Sequence, residues 1–190
     1  QITHVIRGDD HLSNTPRQIL IYEALGYPIP VFAHLSMILG PDGKKLSKRR
    51  NATSVEQYKE MGYLPDALIN FLALLGWSLD GETTIIPPEV LAGEFSLDRI
   101  PKKDAIFDEQ KLDWMNAEYI KMLEPDAWVD VVTPFLIEAG LTTQEAINAD
   151  RAWYAALYPL VAERMKRLTE APEKLAFLFD GPVVHLDEKS

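Results

Sequence analysis

Two short β-branched stretches with one helical stretch between them constrain the first fifty residues more than any other feature. Gln1–Arg7 (QITHVIR) clusters Ile, Thr and Val and predicts a short buried strand. Thr15-Pro16 opens a helix, with Asn14 or Thr15 available as cap and Pro16 suited to the first turn. Ile19, Leu20, Ala24 and Leu25 supply its apolar face, and Gly26 stops it. Val31–Leu39 predicts a second strand, ended by the turn cluster Gly40-Pro41-Asp42-Gly43. Strand, helix and strand in that order imply a right-handed crossover and a parallel pairing, hence an α/β region. A first strand that begins without a preceding turn suits a central position in a larger sheet.

The character changes after Arg50. Ser54 with Gln57 three residues on predicts a capping box for a helix through Glu60. Pro65 opens a helix over Asp66–Leu75 whose Ala67, Leu68, Ile69, Phe71, Leu72, Leu74 and Leu75 predict burial on most sides. A loop at Asp80-Gly81 precedes short helices near Pro88–Phe95 and Asp108–Met115. From Pro125 onward the pattern is helical: Pro125–Ala139, Thr143–Asn148, Ala152–Leu168 and Pro172–Phe179, with Gly140 and Gly181 as stops. Pro134 and Pro159 fall inside two of these helices and are expected to kink or divide them. Trp114, Trp128 and Trp153 occupy apolar helical positions and read as core. The fold class is therefore mixed α/β followed by a mainly α region.

Composition removes several functions. Cysteine is absent, which excludes disulfides, thiol catalysis and Cys-ligated zinc. No apolar run approaches the roughly 18 residues of a membrane span. The net charge of −10 argues against a nucleic-acid partner until its distribution is considered. Residues 1–50 carry seven basic and four acidic side chains, whereas residues 51–190 carry 12 and 25. Five of the seven basic residues lie within Lys44–Arg50, so the local field of that segment outweighs the average.

Lys45-Leu46-Ser47-Lys48-Arg49 is the sharpest local signal. Closely spaced ammonium and guanidinium groups beside a glycine-rich turn suit a polyphosphate, and such cations stabilise charge developing in phosphoryl chemistry. A solvated basic loop or a nuclear-localisation patch satisfies the same composition. His4 and His185 lack metal-ligand partners at helical or hairpin spacing. His34 in its strand suits either the core or a place near a nucleotide. Asp9-Asp10 has no evident third ligand for a metal.

The surrounding text narrows these choices. Lys45–Arg49 is similar to the KMSKS-type signature of class I aminoacyl-tRNA synthetases, in the K-L-S-K-R form of the glutamyl enzymes. Val5-Ile6-Arg7-Gly8-Asp9-Asp10-His11, followed by Asn14-Thr15-Pro16-Arg17-Gln18, resembles that family's block before the second strand. His34-Leu35-Ser36-Met37-Ile38-Leu39 resembles its strand leading into the lysine loop. Thr53-Ser54-Val55, Gly62–Leu68 and Leu74–Ser78 are similar to the family text that follows, so the ordered match runs from His4 to about Ile120. Arg50-Asn51 departs from it, since relatives often carry His-Gly there.

The resemblance implies a function and a site. Glutamate would attack the α-phosphorus of ATP to give glutamyl-adenylate, and the acyl group would pass to the terminal adenosine of tRNA. Arg7 matches the arginine that helps hold the glutamate carboxylate; as bare chemistry, an ion pair with Asp9 or Asp10 is the readier account. Asp10 and His11 match positions near the nucleotide, and Met37 and Ile38 match positions whose backbone contacts adenine, although ordinary strand core also accounts for the latter two. Lys45 and Lys48 match the signature lysines on the ATP phosphates, with Ser47 either bonding the nucleotide or holding the loop. ATP would bring Mg2+, and no zinc site is expected. Partners would be tRNA, ATP and L-glutamate, with no membrane, a monomeric state and a cytoplasmic location.

The implied domains are residues 1–50, the second half of a Rossmann-like catalytic domain; residues 51–123, a stem-contact region; and residues 124–190, the start of a helical anticodon-binding domain. The family's HIGH-type motif belongs upstream of this text, so the chain is expected to be a fragment that does not activate glutamate alone. A tRNA-binding module without catalysis and a paralogue that glutamylates a tRNA base are the competing classes.

Overall fold

The computed structural model describes residues 2–44, 54–100 and 103–179. The chain divides into two compact units, one formed by Gln1–Asn51 with Ile69–Glu109 and the other by Ala52–Leu68 with Gln110–Ser190.

The first unit contains the expected strand–helix–strand. Strand β1 (His4–Gly8) leads through a 3-10 turn (Asp9–Asn14) into helix α1 (Thr15–Ala24), and β2 (Val31–Leu35) returns parallel to β1 with Arg7 opposite His34. Gly26, at φ 67°, takes the left-handed turn that ends the helical segment. The long second strand is not continuous. It breaks at Ser36–Met37, and β3 (Ile38–Leu39) pairs instead with β4 (Ala105–Ile106), again in parallel. Asp104 supports the switch by accepting from the Met37 amide at 3.1 Å, while Ala105 donates to the Met37 carbonyl.

Burial in this region differs from the sequence expectation. Ile6 on β1 is exposed, and Leu20 and Leu25 on α1 remain about three-fifths exposed, at 63% and 62%. Thr15 is the buried residue of α1. A two-stranded sheet offers one helix only a narrow surface, whereas parallel strands are ordinarily covered on both faces. A tighter core forms where helix α3 (Pro65–Gly76) and α4 (Pro88–Glu94) contribute Leu74 and Leu91 around buried Trp77 and Ile86. Asn70 holds the Ile86 amide there through Oδ1 at 2.9 Å. Helix α3 buries Ala67, Leu68 and Phe71 but leaves Ile69 and Leu72 half-exposed, so it is apolar on more sides than it buries.

The second unit is helical. Helix α2 (Val55–Glu60) carries the expected capping box, with both Ser54–Gln57 bonds at 3.2 Å. Helices α5 (Glu109–Lys121), α6 (Pro125–Glu138), α7 (Gln144–Ala149), α8 (Arg151–Val161) and α9 (Ala171–Phe179) follow. The α5 helix extends well past the expected Met115, because Tyr119 and Ile120 continue its buried stripe. Leu112, Met115, Ile120, Trp128, Val132, Leu136 and Ile147 are fully buried. Pro134 does not divide α6, and the neighbouring Thr133 hydroxyl bonds the Val129 carbonyl at 2.6 Å. The expected Ala152–Leu168 helix does divide: α8 ends two residues after Pro159, and 3-10 turns at Ala162–Arg164 and Leu168–Glu170 take over. Arg151 ties α8 to α6 through Asp126 and Asp130.

Of the three tryptophans read as core, only Trp128 is buried. Trp114 and Trp153 are 44% and 39% exposed. Trp114 lies two positions beyond Leu112, far round the helix from the buried Leu112–Met115–Tyr119 stripe. Gly181 and His185 lie outside the described residues.

Candidate functional site

Arg7 and His34 stand at the carboxyl ends of β1 and β2, with Asp10 and His11 in the turn that follows β1, at the end of a parallel sheet where α/β proteins bind ligands. Arg7 is the penultimate residue of β1, and its cross-strand partner is His34. Alternation along β2 puts Phe32 and His34 on one face, where their rings lie nearly parallel at 6°. The Arg7 guanidinium carbon sits 5.4 Å from the centre of the Phe32 ring, within cation–π range.

Thr15, the first residue of α1, completes the cluster. Arg7 Nη2 donates to Thr15 Oγ1 at 2.8 Å, and Arg7 Nε reaches His34 Nε2 at 3.4 Å. Thr15 Oγ1 is itself 2.9 Å from His34 Nε2. The guanidinium is thus oriented by a hydroxyl, an imidazole and an aromatic face. In the sequence, Thr15 reads as a helix cap and His34 suits either the core or a place near a nucleotide. The strand register brings His34 onto Arg7, and the 3-10 turn after β1 brings Thr15 back to it.

Asp10 and His11 lie in the exposed 3-10 turn that follows β1. The Asp10 carboxylate folds back over Gly8: a Cβ placed there would stand 2.6 Å from Asp10 Oδ1. His11 Nδ1 and Asn14 Nδ2 are 3.4 Å apart. Exposed His4 has its Nδ1 3.0 Å from the Thr3 hydroxyl.

Met37 and Ile38 belong to the second strand pair. The ladder runs from Ala105 N to the Met37 carbonyl at 3.1 Å and from Phe107 N to the Leu39 carbonyl at 2.8 Å. Alternate residues of a parallel strand direct their peptide groups to opposite edges, so those of Ile38 point away from β4. The Met37 amide and carbonyl, by contrast, are engaged by Asp104 and Ala105. Of these two positions, Ile38 is therefore the better placed to offer backbone groups to a ligand.

The Gly40–Lys44 turn is closed by bonds from Gly40 N to Lys44 O at 2.7 Å and from Lys44 N to Asp42 Oδ1 at 3.1 Å. Gly43, at φ 70°, supplies the left-handed residue it needs. Lys45, Ser47 and Lys48 lie outside the described residues, as does Arg50-Asn51. Among the described residues, no three or more His, Cys, Asp or Glu side chains assemble as metal ligands, and no helix is long and apolar enough to cross a membrane.

A parallel strand pair joined by a helix, with an arginine at its carboxyl end, places this region among α/β folds, whose ligands ordinarily sit at that end. Residues 1–114 match the family model for the catalytic domain of class I tRNA synthetases of the E and Q type. The chain belongs to that family. It is 49% identical over 182 residues to glutamate–tRNA ligase 1 of Fervidobacterium nodosum, covering 96% of this chain and 37% of that protein. It is 46% identical over 189 residues to the glutamate–tRNA ligase of Moorella thermoacetica, covering 100% of this chain and 38% of that protein. A crystal structure of a glutamate–tRNA ligase from Elizabethkingia meningosepticum, in complex with its amino acid, superposes with TM-score 0.78 at 33% identity, covering 99% of this chain and 40% of that one. The chain therefore spans about two-fifths of the length of these relatives.

Proposed function

We propose that this chain is part of an ATP-dependent glutamate–tRNA ligase. The observation that carries the reading is the agreement, at 46–49% identity over essentially the whole chain, with glutamate–tRNA ligases. The glutamate α-carboxylate attacks the α-phosphorus of ATP, forming glutamyl-adenylate and releasing pyrophosphate. The terminal adenosine of tRNA then takes the glutamyl group and AMP leaves. Positioning and electrostatics dominate the first step, so a fixed guanidinium and long cationic lysine side chains suit it better than a nucleophile–base pair.

In this reading Arg7 holds a carboxylate of glutamate. Asp10, His11 and the backbone of Met37 and Ile38 lie around the nucleotide. Lys45, Ser47 and Lys48 meet the phosphates, and magnesium arrives with ATP. Residues 1–50 complete the catalytic domain, 51–123 contact the tRNA stem and 124–190 begin the anticodon-binding part. The partners are tRNA, ATP and L-glutamate, and the enzyme acts as a cytoplasmic monomer. The activity belongs to an enzyme of the relatives' length.

The test is Lys48→Ala in the full-length enzyme, followed by glutamate-dependent ATP–pyrophosphate exchange. Loss of one phosphate-stabilising cation should lower the rate on the order of 100-fold. Unchanged exchange would remove the role assigned to Lys48.

A further inference from the structure

Arg7 is held by more than its own strand, and the donor and acceptor chemistry of its partners fixes how. A guanidinium only donates, so Thr15 Oγ1 must accept from Nη2 at 2.8 Å and His34 Nε2 must accept from Nε at 3.4 Å. A ring nitrogen that accepts carries no proton, which places the imidazole proton of a neutral His34 on Nδ1. The one lone pair of that Nε2 is then used by Arg7, so the Thr15 hydroxyl, 2.9 Å from it, gives its own proton to the His11 carbonyl at 3.5 Å. The three side chains form one set in which arginine donates to both partners.

This set occupies one particular edge of the guanidinium. Nε and the adjacent Nη2 hydrogen form its side-on edge, and both are taken by His34 and Thr15. The end-on edge, made by Nη1 and the second Nη2 hydrogen, presents the parallel pair of donors that matches a carboxylate. Phe32 meanwhile covers one face of the plane at 5.4 Å. Rotation about the plane normal and tilt out of the plane are both restricted before any ligand arrives, so less ordering accompanies binding. Thr15 is itself buried at 9% exposure and anchored at the start of α1, so its hydroxyl is a fixed reference point.

We propose that Thr15 and His34 are positioning residues that turn the end-on edge of Arg7 toward the carboxylate of the amino-acid substrate. The inference rests on the reading of Arg7 as the carboxylate-binding residue. It adds that affinity for the amino acid depends on two side chains that do not touch it, acting through the orientation of a third.

The experiment measures KM for glutamate, KM for ATP and kcat by ATP–pyrophosphate exchange in the full-length enzyme. Thr15→Val removes the hydroxyl at nearly constant volume, and His34→Leu removes the acceptor. Each should raise KM for glutamate about tenfold, equivalent to about 1.4 kcal/mol, with KM for ATP and kcat within about threefold of the parent. Thr15→Ser restores the hydroxyl and His34→Gln restores an acceptor near the Nε2 position; both should return KM for glutamate to within about threefold. Thermal melts confirm that the variants fold, and the two conservative variants keep the comparison available if either drastic one does not. Arg7→Ala serves as the reference and should raise the same KM by more than either partner. An unchanged glutamate KM in Thr15→Val and His34→Leu beside a raised one in Arg7→Ala overturns the positioning role while leaving Arg7 in place. Equal rises for glutamate and ATP, or no rescue by Ser and Gln, overturn it as a general structural defect. An unchanged KM in Arg7→Ala instead removes the carboxylate reading itself.

Discussion

Leu168 donates its backbone N–H to the carbonyl of Gly62 across 3.0 Å, and the two backbones approach so closely that no side chain fits between them. A Cβ on Gly62 would stand 2.7 Å from the amide nitrogens of both Leu168 and Thr169, at a φ of 84° that L residues rarely adopt. Gly62→Ala therefore combines left-handed strain with a backbone collision, and the expected loss is about 3 kcal/mol. Gly81→Ala is the internal control: its φ is 90°, but nothing lies within 4 Å, so only the strain remains, about 1 kcal/mol. Urea unfolding followed by helical circular dichroism separates the two. Equal midpoints for the two variants would show that the close approach costs nothing.

The same corner is cross-linked by Asn116, which is completely buried. Its Oδ1 accepts from Leu64 N at 2.8 Å, and its Nδ2 donates to the carbonyls of Gly62 at 3.3 Å and Lys166 at 2.6 Å. Asn116→Ala takes the side-chain partner from the Leu64 amide and the Lys166 carbonyl, while the Gly62 carbonyl keeps Leu168, and about 2–4 kcal/mol should be lost. Asn116→Asp retains the acceptor but turns a carboxylate oxygen toward two carbonyls. At neutral pH it should be at least as damaging as alanine. Burial and those carbonyls raise the new carboxyl's folded pKa above its unfolded value, so stability returns as pH falls and the acid form donates. Unfolding midpoints of both variants from pH 7 to pH 5 test this: an aspartate variant that does not gain on alanine over that range would contradict the assigned bonding.

These corners show where sequence reasoning stopped. The capping box at Ser54–Gln57, the stop at Gly140 and the parallel pairing of the first two strands all follow from local chemistry, since each involves residues a few positions apart or a forced crossover. The Asn116 bonds span 50 or more residues, and nothing near Asn116 announces them. Burial failed in the opposite direction. An apolar helix face predicts that something covers it, yet Leu20 and Leu25 are largely exposed. The Val31–Leu39 stretch was continuous in β propensity, but a distant carboxylate, Asp104, engages the amide at its break. Arg7 stands out in the sequence by its motif, whereas its bonds to Thr15 and His34 depend on the turn after β1 and on the strand register.

Asp80 illustrates a local device with a defined pH window. Its carboxylate accepts from the Thr83 hydroxyl at 2.6 Å, the Thr83 amide at 2.7 Å and the Glu82 amide at 2.9 Å. The Thr83 hydroxyl, followed by these backbone bonds, lowers its pKa from 3.8 to about 2. A depressed folded-state pKa contributes stability that is present above the unfolded value and disappears as pH falls through the folded one. The difference in thermal midpoint between the parent and Asp80→Ala should therefore hold steady from neutral pH to about 4 and shrink between about 4 and about 2. The group is solvent-exposed, so the difference is small, and a carboxyl titration by NMR reads the midpoint more directly. A midpoint near 4 would mean that the three bonds do not persist in solution.

Gly8 offers a test at the site itself. Its φ of −64° and ψ of 152° are open to any residue, so conformation does not require glycine there. The constraint is the Asp10 carboxylate, whose Oδ1 would lie 2.6 Å from an added Cβ. Because that oxygen is the free end of a side chain, Gly8→Ala should displace the carboxylate without unfolding the strand end. Asp10 is assigned to the nucleotide, so KM for ATP in the full-length enzyme should rise by about three- to tenfold while KM for glutamate stays within about twofold. Asp10→Asn keeps the geometry and removes the charge, which separates displacement from electrostatics. If both variants bind ATP as the parent does, Asp10 lies away from the nucleotide, and the turn after β1 serves only to carry the chain into α1.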